Sequence, residues 1–450
     1  MIESILSSVR FANAQFRFME HMKVSSPLLL ANLISSTQAF VLLTIAIVSL
    51  SHQVLILTYA ASLGLFYTAL VLAVTNPIGY RISSHIAKGD HRSVCFTMLR
   101  AYPYLIVLIV MLWFVLIFFQ RLAVAPILSR VDSDELAEYM IYYWVDCAIL
   151  TLSVPLYLLV VALKKNVVIL AITFFGVGVT VACASYQVLL QSAQIHNIAA
   201  SALYGRVGMA VAYIFIFIVY VKDIWPHFST ESPDKSNFSG KELFTDVLDY
   251  VSASIVSNGL VLVQALVLSL TPTILIVNAT VSSVSNVFSS LGLALGTSGG
   301  VALASAHARG ANHSEDIAKA IKLYAKILGG FAFFCSFIVL VSQLNLLKVL
   351  DYVELCYLGF VTSALVGVAF FISYTSKAIL RGDARFQKDL TFKFVRLRVL
   401  ALIFFYVLTI SDNLSGAIYF TLMLLMSSYY AVSVSRRINS GLWAEKFNRI

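Results

Sequence analysis

Charge is scarce in this chain. Asp, Glu, Lys and Arg make up 12% of its 450 residues, about half the share of a soluble globular protein, and that deficit excludes a water-facing surface over most of the molecule. Proline is sparse too, with eight residues, so few positions interrupt a helix. The five cysteines, Cys95, Cys147, Cys183, Cys335 and Cys356, are far apart and form no Cys-x-x-Cys pair. With no histidine at metal-ligand spacing beside them, they exclude a zinc centre or a disulfide framework and read as small packing residues. No glycine-rich loop is present to cradle ATP, because Ser239-Gly240-Lys241 lacks the earlier glycine such a loop needs. No carboxylate pair, Ser/His/Asp set or Cys/His set collects on one face of the chain, so neither catalysis, nor a bound metal, nor an organic cofactor is expected.

Apolar residues fill the space, at 60% with a mean hydropathy of +0.89. They gather into twelve stretches near 25–50, 53–79, 97–121, 139–163, 166–190, 197–221, 245–270, 273–304, 321–343, 349–377, 394–411 and 414–435, each close to the roughly 20 residues that cross a bilayer as a helix. These spans 1 to 12 predict an all-α integral membrane protein. When the connecting loops are assigned alternately to the two sides, 26 of the 31 cations fall on the side holding both termini and three, Arg121, Arg130 and Lys348, on the other. Basic loops resist translocation, so this split predicts a multi-pass plasma membrane protein, in the inner membrane if bacterial, with both termini cytoplasmic. It also accounts for the net charge of +9 as cytoplasmic anchoring beside anionic lipid, leaving no reason to expect nucleic acid as a partner. Met1 to Lys23 has no apolar core of the kind a cleavable signal peptide carries; its Phe and Ile residues set among Arg10 and Arg17 suit either a helix lying on the membrane surface or a frayed tail.

The longest polar interruption, 222–244, holds Pro226, Pro233 and Gly240 and divides the spans six and six. It predicts an N-terminal lobe (1–221), a cytoplasmic linker (222–244) and a C-terminal lobe (245–450). A shift of 221 positions lays Gly79, Ser84, Ala87, Lys88 and Gly89 on Gly300, Ser305, Ala308, Arg309 and Gly310, just beyond the second span of each half. Such a string suits a helix that stops and turns at the headgroups. Six spans per repeat make the repeats parallel, a geometry in which two lobes rock about a central cavity.

Polar residues within the spans mark what that cavity presents. Span 1 carries Asn32, Ser35, Ser36 and Gln38; span 7 carries Ser254, Ser257, Asn258 and Gln264; span 8 carries Asn278, Ser282, Ser285, Asn286 and Ser289. Residues three and four apart share a helix face, so each stripe turns away from lipid. Such residues also serve as glue between helices, but five polar positions on span 8 exceed what one helix contact needs, so that stripe reads as a cavity wall. The candidate cavity residues are Asn32, Gln38, Asn258, Gln264, Asn278, Ser282 and Asn286.

Of the 22 acids only Asp146 and Asp249 fall clearly inside spans, and Asp249, near the cytoplasmic end of span 7, suits a helix N-terminus. Asp146 in span 4 and Arg206 in span 6 lie at matching depths, for Asp146 about 10 Å from the outer face. A charge in hydrocarbon costs about 3 kcal/mol on insertion scales, so both should face protein or water. Two readings stay open: Asp146 as an ion- or proton-binding carboxylate tuned by Arg206, or a static Asp146 to Arg206 pair that ties span 4 to span 6. His85, His91, His307 and His313 recur near the repeated turns and read as solvated surface residues.

These strings resemble the multidrug and toxic compound extrusion (MATE) transporters, within the multidrug/oligosaccharidyl-lipid/polysaccharide exporter superfamily. The likeness spans nearly the whole chain. It rests on Pro27 opening span 1, Ala60-Ala61-Ser62 in span 2, the turns His85-Ile86-Ala87-Lys88-Gly89-Asp90 and His307-Ala308-Arg309-Gly310, and Leu380-Arg381-Gly382-Asp383-Ala384-Arg385 after span 10. The resemblance implies ion-driven export by alternating lobes, with H+ or Na+ as coupling ion, a small organic substrate and a monomer in the bilayer. It also exposes departures: relatives place a carboxylate in span 1 and some in spans 7 and 10, where this chain has Leu42, Ile255 to Asn258, and Phe370. The usual cation site therefore does not carry over, which leaves Asp146 and Arg206 as the coupling candidates; the shortage of acids weakens the case for cationic drugs, and Arg206 favours an anionic or neutral amphipathic cargo. A flippase for a lipid-linked sugar and a non-transporting membrane scaffold are the alternatives.

Overall fold

A computed structural model describes residues 18–49, 54–127, 133–187, 194–224 and 384–411, together with scattered helical positions between 244 and 301 and between 418 and 436. Seven long helices stand out among the described residues: α1 (Phe18–Ser49), α2 (Val54–Lys88), α3 (His91–Ile127), α4 (Ser133–Ala162), α5 (Asn166–Tyr186), α6 (Ile195–Ile224) and α7 (Ala384–Ile410). The first six are spans 1 to 6 and α7 is span 11. No strand occurs among the described residues. Four of the helices hold segments long and apolar enough to cross a membrane, at His91–Phe114, Asp134–Ala162, Asn166–Tyr186 and Ile195–Asp223. The remaining spans, the linker, the N-terminal tail, the second copy of the repeated string and Cys335 and Cys356 lie wholly or mostly outside the described residues.

Within the first half, α4 packs along α6, α5 lies against both α1 and α6, and α2 packs on α3 and α4. One apolar core runs through all six helices, from Leu28 and Ile56 through Ile78, Leu105 and Leu159 to Ile198 and Tyr213. The opposite faces are just as apolar: Phe114 on α3, Phe174 on α5 and Phe215 on α6 are all exposed. A soluble monomer does not display faces of that size, whereas acyl chains require them.

The helix ends follow the sequence closely. Gly89 takes a φ of 75° and ends α2 with two backbone bonds, Gly89 N–H to the carbonyl of Ile86 at 3.1 Å and Asp90 N–H to that of His85 at 3.0 Å. This is the Schellman arrangement, in which a residue without Cβ strain occupies the left-handed position. Asp90 then caps α3 by accepting the N–H of Ser93 at 2.9 Å. The α4–α5 turn repeats the pattern with Lys164 at a φ of 60°.

Two histidines differ from the sequence expectation. His85 is buried in the part of α2 that extends beyond the apolar span, and burial lowers its pKa below 6.5 although Asp90 opposes the shift. His91 is bridged to Tyr220, Nδ1 to hydroxyl, at 2.8 Å, which ties α3 to α6. His85 is thus enclosed, and His91 is half-buried with its ring edge-on to that of Tyr220.

Candidate functional site

The deep charges of the first half meet. Nε of Arg206 donates to Oδ1 of Asp146 at 3.1 Å, and the two side chains retain 22% and 11% of their exposure. Asp146 is 13 residues into α4 and Arg206 is 11 residues into α6, so both lie about 15 to 20 Å from helix ends on one face. The same helices meet again at the rim, where Nδ1 of His196 lies 3.0 Å from Oε2 of Glu138.

Glycine explains why Arg206 reaches its partner. A Cβ on Gly205 would clash with the hydroxyl of Thr180 and the carbonyl oxygen of Gly176, so α5 and α6 cross in close contact at the residue preceding Arg206. Thr180 uses its hydroxyl to bond that same carbonyl at 3.0 Å. Helices that approach through small residues gain contact area that lipid cannot supply, and here the approach fixes the rotation of α6.

Around Asp146 the sequence reading missed an aromatic lining. Tyr139 and Tyr143 stack with centroids 5.9 Å apart, and Trp113 meets Trp144 edge-on at 6.2 Å. The hydroxyl of Tyr67 donates to the carbonyl of Cys147 at 2.7 Å and meets the hydroxyl of Thr151. Beside these rings lies a cavity of about 10 Å³ lined by Tyr67, Trp113, Tyr143, Trp144 and Cys147. It has room for about one water and none for an organic molecule. The pair is thus packed within the first half, with a polar network and a small void at its side. The run of Tyr139, Tyr142, Tyr143 and Trp144 just ahead of Asp146 was the available signal.

Asn32 and Gln38 are half-buried on α1, and Nδ2 of Asn32 is buried without a hydrogen-bond partner. Their neighbours Ser36 and Thr37 both bond the carbonyl of Leu33, at 3.0 and 2.7 Å. Gln264 is enclosed: its amide nitrogen donates to the hydroxyl of Tyr419, and its carbonyl accepts from Arg398 at 3.3 Å. Phe405 on α7 packs against the ring of Tyr419 in span 12, centroids 4.9 Å apart. Arg398, which falls within span 11 but counts among the cations of the basic side, is a helical residue 14 positions into α7; its place beside lysines and arginines at the end of an apolar run hid its inward contact. Asn258, Asn278, Ser282 and Asn286 lie outside the described residues.

Neither a protein-family model nor a curated protein matches the sequence. Solved structures do. The Vibrio cholerae MATE transporter VcmN superposes with a TM-score of 0.69 over 99% of both chains at 11% identity, and the eukaryotic MATE transporter AtDTX14 with 0.67 over 96% of this chain and 98% of its own at 13% identity. The chain has the MATE transporter fold. A superfamily transporter from Pyrococcus furiosus, described as having a binding pocket of reverse polarity, also matches, with a TM-score of 0.65 over 93% of this chain and 95% of its own at 12% identity. The MATE fold is the all-α, twelve-helix membrane architecture that the spans predict. At identities of 10 to 13% what is shared is the path of the backbone, and the chemistry inside it belongs to this chain alone.

Proposed function

We propose that this protein is a secondary exporter of a small or medium organic molecule, working by alternating access of an N-terminal lobe (1–221) and a C-terminal lobe (245–450) joined by a cytoplasmic linker (222–244). The observation that carries the reading is the MATE fold matched along 99% of this chain and of VcmN. Both termini are cytoplasmic in this reading, the protein works as a monomer in the plasma membrane, and it needs no organic cofactor.

Coupling falls to Asp146, with H+ or Na+ as the ion. Its contact with Arg206 must then open during the cycle, so that the incoming cation and the guanidinium compete for one carboxylate. A cargo that is neutral or anionic suits an interior holding Arg206 and Arg398, and the reverse-polarity pocket described for the Pyrococcus relative offers a precedent within the fold.

Proteoliposomes loaded with either a fluorescent carboxylate or a fluorescent organic cation test this, with a proton or sodium gradient imposed across the membrane. The expected result is gradient-dependent efflux, faster for the carboxylate, whose gradient dependence falls at least about tenfold in Asp146→Asn, equivalent to 1.4 kcal/mol of coupling. Lipid movement without any gradient points to a flippase, and wild-type protein that moves nothing points to a scaffold. Unchanged coupling in Asp146→Asn assigns the pair to holding α4 and α6 together.

A further inference from the structure

Two hydrogen bonds join the halves of the molecule across nearly two hundred residues or more. The hydroxyl of Ser25 on α1 meets that of Ser298 in span 8 at 3.0 Å, and the hydroxyl of Ser254 in span 7 donates to the carbonyl of Ala69 on α2 at 3.0 Å. Under the 221-residue shift, span 1 corresponds to span 7 and span 2 to span 8. The two junctions are therefore the same helix pairing seen once from each half, which a chance packing contact would not reproduce. Ser25 and Ser298 are 0% and 5% exposed. Ser25 is also held from its own side, since the adjacent carbonyl, that of Val24, accepts a bond from Nδ2 of Asn166 at 2.5 Å.

Height along the helices shows which end is shut. Ser25 is seven residues into α1, on the face where α2 ends at Lys88, and Ala69 lies near the middle of α2. The lobes thus touch from the face of the basic turns inward to about mid-membrane.

We propose that Ser25 and Ser298 form a latch that closes the passage between the lobes on the face of the basic turns, with Ser254 and Ala69 as its inner rung. This inference rests on the alternating-access reading. Hydroxyl pairs suit such a duty: while dry they bond one another, and once parted each is rehydrated, so the net stabilisation of the closed state is small and the latch reversible. Neither hydroxyl titrates between pH 5 and 9, so the latch's own contribution to closure depends on neither pH nor salt, in contrast to one built from an ion pair. Small side chains also let α1 and span 8 come together closely enough to exclude cargo.

The test uses the full-length protein in two forms. In the first, Ser25→Cys and Ser298→Cys are combined with a protease site in the 222–244 linker, and each single cysteine variant serves as control. Oxidation should hold the cut halves together on a non-reducing gel in the double variant alone, and should arrest efflux until a reductant is added. In the second, Ser25→Ala and Ser298→Ala are combined, with fluorophores introduced through unnatural amino acids at Lys88 and Arg396, one on each half. Single-molecule transfer in nanodiscs should show the closed population falling about fivefold relative to the open one, the effect of losing one hydrogen bond, equally at pH 6 and pH 8. An unchanged distance distribution in the alanine variant overturns the latch, as does an oxidised double variant that transports at the wild-type rate. Because the distance measurement needs no cargo, wild-type protein that exports nothing defeats the export reading while the latch is judged separately.

Discussion

At Asp146 and Arg206 two buried charges depend on each other, so the cost of removing one is the cost of stranding the other. Arg206→Met should lower stability by about 3 to 5 kcal/mol, whereas Asp146→Leu combined with Arg206→Met should recover most of the loss, because a packed apolar pair needs no desolvation offset. Thermal unfolding in detergent checks this, and a double variant as unstable as the single one would remove the pair from the account. This much was legible in the sequence: an acid and a base in neighbouring apolar spans at equal depth have few other partners within reach. Arg398 was not, because a cation near the end of an apolar run looks identical whether it reaches outward to headgroups or inward to Gln264, and only the rotation of α7 decides. The surroundings of His91 were hidden for the same reason, as its partner Tyr220 lies 129 residues away along the chain.

Helix lengths follow a different logic. The apolar stretches locate every described span, but α2 runs on to Lys88 and α7 begins at Ala384, about three turns outside the stretches that mark them. Hydropathy reports where lipid begins; the turn signals report where the helix ends, and the Gly89 and Asp90 pair placed that end to the residue. The crossing of α5 and α6 is also an element-scale property, fixed by Gly176 and Gly205. Gly205→Ala sets a methyl group against both the Thr180 hydroxyl and the backbone of Gly176, and should cost about 1 to 3 kcal/mol and loosen the Asp146 contact with it. Gly178 on the same α5 has nothing within 4 Å of its own position for a Cβ, so Gly178→Ala should be neutral or gain up to about 1 kcal/mol in helix propensity. Melting curves for the two variants check both signs at once.

For the molecule as a whole, span count in the sequence predicted the all-α membrane architecture, and the MATE fold agrees with it. Pairing between the halves was beyond such reasoning, since Ser25 and Ser298 are two among many small polar residues and acquire their significance from the packing of α1 against span 8. The central claim is that α1 borders a chamber opening alternately to either side. Asn32, half-buried about 21 Å along α1, is the described residue that reports on it most directly. The deciding measurement is the labelling rate of Asn32→Cys by a membrane-impermeant maleimide, applied to right-side-out and to inside-out vesicles. The account predicts labelling from both faces, with each rate changing in the opposite sense when cross-linking Ser25→Cys to Ser298→Cys closes the turn side. Labelling from one face alone, or from neither, contradicts it.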